Sequence, residues 1–137
     1  MEPIERTLAP VWEANPGVVS AYLFGSHAAG RPHRESDLDL AVLLDRAVYP
    51  IARTRFDARL RLTGDLGRAA RRDDIDLVVL NDAPPTLARA ILTRGRRIFC
   101  RDAEADHVCL RTALLRAADL DPFLRRMRAV KLAVLRQ

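Results

Sequence analysis

The sequence predicts an α/β fold with a small mixed β-sheet and flanking helices, and two observations support this class. Short apolar segments with the β-branched and aromatic composition of buried strands alternate with longer segments whose apolar residues recur at helical spacing. Glycine or proline separates several of these segments, as turn residues do. The chain has 137 residues, the size of one domain, so we expect a single domain over residues 1–137 with a helical tail from about residue 103.

Four segments are predicted as strands. The first follows the breaker pair Pro16-Gly17 and ends at Gly25-Ser26, and the second follows the polar, turn-rich segment 30–36. At the head of the second strand, Asp37 and Asp39 alternate with apolar residues. The predicted ranges are 18–24, 38–44, 76–80 and 97–100.

Helical spacing and capping residues predict the helices. The first covers Ile4–Glu13, and Pro10 is expected to kink or end it because proline lacks a backbone donor. The second opens at Tyr49-Pro50 and continues to about Ala70. Its predicted inward stripe consists of Ala52, Phe56, Leu60, Thr63 and Leu66.

The last third of the chain is predicted to be mostly helical. A short helix over Pro85–Thr93 precedes Gly95, which is expected to close it in the left-handed conformation. Asp102 can cap a further helix, and Asp121-Pro122 predicts the start of another, so we expect two helices at the C-terminus. An apolar stripe that fits either ordinary core or a partner surface is formed by Phe123, Met127, Val130 and Val134.

Composition and charge exclude several classes of protein. The formal net charge of +5 comes from 23 Lys and Arg against 18 Asp and Glu, and Lys131 is the only lysine. The arginines are scattered among acidic residues and 5% of residues are aromatic, so we expect no direct nucleic-acid binding. No apolar run approaches the ~20 residues of a membrane helix. Cys100 and Cys109 lack metal-ligand spacing, and we expect two free thiols in a cytoplasmic protein.

Two aspartates at the start of the second predicted strand indicate a metal-binding site. Asp37 and Asp39 stand at i and i+2, so both carboxylates lie on one face, about 6.6 Å apart along the strand. Two crowded carboxylates repel one another, and a divalent cation would relieve the repulsion. An all-oxygen set without His or Cys favours Mg²⁺ or Mn²⁺ over zinc. Magnesium takes further ligands from substrate phosphates, which indicates a nucleoside triphosphate.

A phosphate site is predicted at Gly25-Ser26. Glycine allows phosphate oxygens to approach the backbone, and serine offers a hydroxyl and nearby N–H donors. Nine residues separate this pair from Ser36-Asp37. Asp76, at the start of the third strand, could bring a third carboxylate from a neighbouring strand. Three carboxylates can bridge two metal ions, one orienting the triphosphate and the other activating an attacking hydroxyl.

The segment FGSHAAGRPHRESDLDLAVLL resembles the nucleotidyltransferase motif of the DNA polymerase beta superfamily, in which G-S precedes D-x-D and an apolar strand. The resemblance is strongest with the minimal nucleotidyltransferases, small antitoxins often encoded beside HEPN-domain toxins. It extends over LARAILTRGRRIFCRD and the tail RTALLRAADLDPFLRRMR. It implies a polymerase beta-like fold and an antitoxin that transfers AMP from ATP to a tyrosine of its partner toxin.

The resemblance also implies roles for individual residues. Gly25 and Ser26 would bind the nucleotide together with Ser36, whose hydroxyl also fits a role in supporting the turn. The catalytic and metal-binding residues would be Asp37, Asp39 and Asp76, of which Asp76 is the candidate general base. The implied cofactor is Mg²⁺, in a two-metal site and with Mn²⁺ as a possibility, and ATP is the implied substrate.

The chain departs from the family pattern directly after G-S. Family members often carry arginines there, where this chain has His27 and Ala29. We therefore expect that phosphate contacts come from Arg31 or Arg34, or are weaker.

Two other functions remain open at this point. A catalytically weak antitoxin could block its partner sterically, although the retained motif residues argue against a decayed site. A nucleotidyltransferase could instead modify a small molecule such as an antibiotic, but such enzymes usually carry a further substrate-binding domain, for which 137 residues leave little room. The expected partners are therefore a HEPN-domain toxin and ATP, with no membrane.

Overall fold

The computed structural model describes residues 3–25 and 37–135, and within these ranges it contains a four-stranded mixed sheet between helices. The α/β class predicted from the sequence is confirmed. The elements are α1 (Ile4–Glu13), β1 (Val18–Phe24), β2 (Leu38–Leu44), α2 (Ala52–Ala70), β3 (Ile75–Val79), a 3-10 turn (Leu80–Asp82), α3 (Pro85–Arg94), β4 (Arg96–Cys100) and α4 (Ala103–Leu135).

The strand order across the sheet is β3-β2-β1-β4. β1 pairs antiparallel with both β2 and β4, whereas β2 and β3 are parallel. A parallel pair needs a crossover connection, which α2 supplies here. β2 is therefore an inner strand, with β1 on one side and β3 on the other.

The two faces of the sheet carry separate apolar clusters. Alternate residues of β2 divide between them, because successive side chains of a strand point to opposite faces. Leu40 packs in the cluster that includes Leu8 and Trp12 of α1. Ala41 packs in the cluster that includes Ile91 of α3 and Ala113 of α4. The sheet is thus covered by α1 and α2 on one face and by α3 and α4 on the other.

α1 continues through Pro10, where a kink or an end was predicted. Proline removes one N–H from the helical ladder, yet the Pro10 carbonyl still accepts a hydrogen bond from the Ala14 N–H at 3.0 Å. Leu8 and Trp12, on either side of Pro10, are fully buried in the core. Their burial offsets the lost backbone bond.

The inward stripe predicted for α2 is wrong at Ala52, which is exposed, and at Phe56 and Leu60, which are 51% and 58% exposed. Arg55 is buried there instead, and its guanidinium donates to both carboxylate oxygens of Asp82 at 2.9 Å and 2.8 Å. Arg55 also donates to the carbonyl oxygen of Tyr49 at 3.0 Å. This ion pair with a distant residue allows an arginine to occupy an inward position, which helical spacing alone does not indicate.

Two expectations for the C-terminal third are also wrong. Gly95 is extended, with φ −74° and ψ 170°. Glycine is required there because a Cβ would lie 2.5 Å from the Ile91 carbonyl oxygen.

A single helix, α4, runs through Pro122 where two helices were predicted. Pro122 and Ala118 are both exposed, so water can bond to the Ala118 carbonyl that loses its donor. The cap is as predicted, since Asp102 Oδ1 accepts from the Ala105 N–H at 3.1 Å.

In the part of the chain that the structure describes, no helix combines the length and the apolar character needed to span a bilayer.

A buried polar cluster joins α4 to the sheet. The Asp106 carboxylate, 4% exposed, accepts hydrogen bonds from Ser20 Oγ at 2.6 Å and from Tyr22 Oη at 2.8 Å. Arg97 of β4 donates to the same carboxylate through Nη1 at 3.1 Å. A buried carboxylate is costly unless donors surround it. These donors from β1 and β4 therefore fix the position of the first turns of α4 on the sheet.

Replacing Tyr22 with Phe should destabilise the fold by about 1.5–3 kcal/mol, because the buried Asp106 carboxylate loses a donor. Tyr49→Phe is the matched control, since the Tyr49 hydroxyl accepts an exposed bond from Arg61 at 2.7 Å. The control should change stability by less than about 0.5 kcal/mol. Urea unfolding measures both values, and equal losses would contradict the anchoring role of the cluster.

Stability should also fall at high pH through Tyr22. Burial and the neighbouring Asp106 raise the pKa of the Tyr22 hydroxyl above its ordinary value of about 10. The folded state keeps this proton where an unfolded tyrosine loses it, so the contribution is complete below about pH 10 and declines as the pH rises further. Urea midpoints at about pH 8 and about pH 11 should differ more for the parent than for Tyr22→Phe. A parallel decline in both proteins would contradict this assignment.

Candidate active site

Strand register brings two of the predicted carboxylates together. Asp39 of β2 pairs with Phe24 of β1 on one side and with Asp76 of β3 on the other. Residues directly opposite one another on adjacent strands share a face and lie about 4.8 Å apart. Ala41 and Val78, two residues further along each strand, pack with the cluster under α3 and α4. Asp39 and Asp76 therefore project from the face that carries α3 and α4.

Gly25, which directly follows β1, lies against the Asp39 carboxylate. Its φ is +73°, in the left-handed region that L side chains rarely adopt. A Cβ at this position would overlap Oδ2 of Asp39. Glycine is therefore required here twice, for the backbone turn and for the close approach to Asp39. The predicted role of Gly25 in nucleotide binding stays a prediction.

Asp37 lies exposed directly before β2, beside the connection from α2 to β3. The Leu38 N–H donates to the Asp74 carbonyl oxygen at 2.9 Å, which joins the two segments. Arg72 donates to both carboxylate oxygens of Asp74 at 2.7 Å. Asp74, and more weakly Asp37, raise the pKa of the Arg72 guanidinium. Arg72 thus brings a positive charge to this edge of the sheet.

Sequence reasoning did not find Arg72. It does not belong to the G-S or D-x-D segments. It is also one of 23 basic residues, so its type alone does not distinguish it. The signal that was available is its spacing of two residues from Asp74, which suits a local ion pair. The structure also separates the three neighbouring aspartates, because Asp73 is exposed, Asp74 binds Arg72 and Asp76 alone is in register with Asp39.

The remaining predicted site residues lie outside the described ranges. These are Ser26 and Ser36, together with His27, Ala29, Arg31 and Arg34. Among residues 3–25 and 37–135, no three His, Cys, Asp or Glu side chains are arranged to hold a metal ion. The described part of the site is therefore a paired set of oxygen donors beside a glycine turn, with one arginine at its edge.

The fold and the paired strand carboxylates define a nucleotidyltransferase of the polymerase beta class. Residues 6–104 match the family model described as "Polymerase beta, Nucleotidyltransferase", and the chain belongs to this family. It is similar to the protein adenylyltransferase MntA of Shewanella oneidensis (strain MR-1), with 36% identity over 78 residues. That alignment covers 57% of the chain and 51% of MntA, so the chain spans about half the length of the curated relative it matches.

Solved structures share the fold over nearly the whole chain. A chain of a toxin-antitoxin crystal structure with AMP-PNP is 26% identical, with a TM-score of 0.74 over 93% of this chain and 98% of that one. A second similar chain belongs to a complex of a tri-AMPylated Shewanella oneidensis HEPN toxin with an MNT antitoxin. It shares the fold at 22% identity, with a TM-score of 0.68 over 94% of this chain and 96% of that one.

Replacing Gly25 with Ala should destabilise the protein by about 1–3 kcal/mol, because a side chain at positive φ is strained and overlaps Asp39. Gly64→Ala is the matched control. Gly64 lies inside α2, where a Cβ would meet Arg68 Nη1 at an ordinary 3.6 Å. This control should stabilise the protein by about 0.5–1 kcal/mol. Urea unfolding distinguishes the two signs.

A double-mutant cycle separates strain from overlap in the same experiment. In an Asp39→Ala background, Gly25→Ala should cost at least about 0.5 kcal/mol less, because the carboxylate that it overlaps is gone. An unchanged cost would contradict direct packing of Gly25 on Asp39.

Proposed function

We propose that this protein is an antitoxin that transfers AMP from ATP to a tyrosine hydroxyl of a partner HEPN toxin and thereby neutralises the toxin. The observation that carries the proposal is the register of Asp39 with Asp76, beside Gly25, within a polymerase beta nucleotidyltransferase fold. Similarity to the protein adenylyltransferase MntA and to a toxin-antitoxin structure with AMP-PNP supports the substrate and the partner.

The donor set fits magnesium. Asp37, Asp39 and Asp76 offer carboxylate oxygens, which are the ligands that Mg²⁺ prefers, at the N-terminal ends of the parallel strands β2 and β3, although the three side chains are not gathered around one point. We propose that these three residues hold Mg²⁺, with Mn²⁺ as a substitute. When bound, the metal would neutralise charge on the triphosphate and lower the pKa of an attacking hydroxyl.

The chain's own residues account for binding and proton transfer in this proposal. Ser26 and Ser36 bind the triphosphate, and Gly25 leaves space for its oxygens near the backbone. The tyrosine oxygen bonds to the α-phosphorus, the bond from that phosphorus to the bridging oxygen breaks, and pyrophosphate leaves. Asp76 accepts the tyrosine proton, a role that its exposed position at the start of β3 permits.

Organisation and compartment follow from the same proposal. We treat residues 1–137 as one nucleotidyltransferase domain, with α4 as its helical tail. The reaction consumes ATP and acts on an RNase toxin, and both belong to the cytoplasm, where we expect the protein to work.

The enzyme activity is tested by replacing the carboxylates and measuring the AMP adduct on a co-expressed HEPN toxin by mass spectrometry. Asp37→Asn with Asp39→Asn should lower the transfer rate by about 100-fold or more, because two negative charges that would hold metal are lost. Asp76→Asn should also lower it strongly. Asp73→Asn is the control, since Asp73 is an exposed aspartate three residues from Asp76, and it should keep the parental rate.

The dependence on metal is tested separately, by measuring the melting temperature of the same proteins. ATP with Mg²⁺ should raise the melting temperature of the parent, and ATP with EDTA should raise it much less.

Parental transfer by the double variant would refute the catalytic assignment. Protection from the toxin without any adduct would favour a steric antitoxin, and an adduct on a small molecule alone would favour an antibiotic-type enzyme.

A further inference from the structure

The second half of α4 exposes an apolar stripe. Ala113 and Ala117 are buried, whereas every described side chain from Ala118 to Val134 is exposed. Single exposed apolar residues are ordinary, but several on one side of a helix indicate a binding surface. The exposed set, called here the α4 stripe, consists of Met127, Val130 and Val134, which are 54%, 61% and 64% exposed.

The α4 stripe lies in line with an open groove beside α3 and α4. The groove has a volume of about 760 Å³, and its wall from α4 includes Cys109, Thr112 and Arg116. Each residue of the stripe follows one of these three by 18 residues, which is about five turns at 3.6 residues per turn. Stripe and groove therefore lie on the same side of α4, one after the other along the helix.

Charge argues against a second copy of this chain as the occupant. Arg126 and Lys131 border the stripe, Arg125 and Arg128 lie on the same segment, and residues 122–135 contain no Asp or Glu. Two such helices would bring like charges together, which disfavours their pairing. The complementary surface has apolar side chains flanked by carboxylates.

The charges that line the groove argue against phosphate-rich partners. The groove is lined by three carboxylates, from Asp45, Asp102 and Glu104, and by two arginines, Arg46 and Arg116, so it lacks the one-sign basic surface that the phosphates of a lipid surface or a nucleic acid require. A protein can present acidic residues to the α4 stripe and residues of both charge signs to the groove. The pattern of charge therefore favours a folded protein partner.

We propose that the α4 stripe and the groove are the docking surface for the toxin, a step that rests on the proposed function above. The recognised segment is an amphipathic helix with apolar residues along one side and acidic residues beside them. The groove includes Leu43 and Leu44 at the end of β2, whereas Asp39 lies near its beginning. The protein therefore holds its partner by one surface and modifies it at another.

The test measures the dissociation constant of the purified HEPN toxin without ATP, so that no AMP is transferred. Met127→Glu with Val130→Glu should raise it at least about thirtyfold, because apolar contacts are replaced by buried charge. The control is Phe56→Glu with Leu60→Glu, two residues of α2 that are 51% and 58% exposed. The control should bind within about threefold of the parent.

The same binding assay tests the contribution of the basic residues that border the stripe. Arg126→Glu with Lys131→Glu should weaken binding about tenfold or more and reduce its dependence on salt. Arg53→Glu with Arg111→Glu is the control, since both arginines are exposed and Arg111 lies on another side of α4. An unchanged increase in melting temperature with ATP and Mg²⁺ confirms that each variant is folded.

The possible failures are distinguishable. Parental affinity in the stripe variant overturns the docking surface and leaves the proposed function intact, because the toxin is still bound. A parent that binds no toxin overturns both. A dimer in sedimentation velocity that Met127→Glu with Val130→Glu converts to monomer would assign the stripe to a second copy. Stripe-dependent binding to anionic lipid vesicles, with toxin affinity unchanged, would assign it to a membrane surface.

Discussion

The backbone pairing of β2 with β1 and β3 fixes Asp39 opposite Phe24 and Asp76, and the candidate site depends on this register. A shift of one residue would turn every side chain of β2 to the opposite face. Leu38 and Leu40, both fully buried beneath α1 and α2, would then leave their cluster. The apolar core on one face of the sheet therefore holds the carboxylates on the other face.

Two polar anchors connect the helices to this sheet, and each satisfies a buried charge. Arg55 of α2 forms a two-bond ion pair with Asp82, which follows β3. Asp106 of α4 accepts bonds from Tyr22 and from other donors of the sheet. Because a buried charge without its partner is costly, these pairs restrict how each helix can sit. They leave Asp37, Asp76 and the α4 stripe exposed.

The strands and the site motif were largely predictable from local sequence. Val18–Phe24 and Leu38–Leu44 have the predicted bounds, since glycine and polar turns flank apolar runs of strand composition. The errors fall where distant contacts override local preference. Arg55 is buried because Asp82 reaches it from another element, and Gly95 is required by the nearby carbonyl oxygens of Ile91 and Leu23 rather than by a left-handed cap.

The sequence by itself determined the residue types of the candidate site, the bounds of β1 and β2, and the resemblance to a nucleotidyltransferase. Only the tertiary structure decided that Asp76, and neither of its two aspartate neighbours, pairs with Asp39, because strand register is a long-range property. It also placed the ion pair of Arg72 with Asp74 beside the strand that carries Asp76, and formed the groove between separate segments. Such contacts join separate segments of the chain, and no local pattern encodes the distances between them.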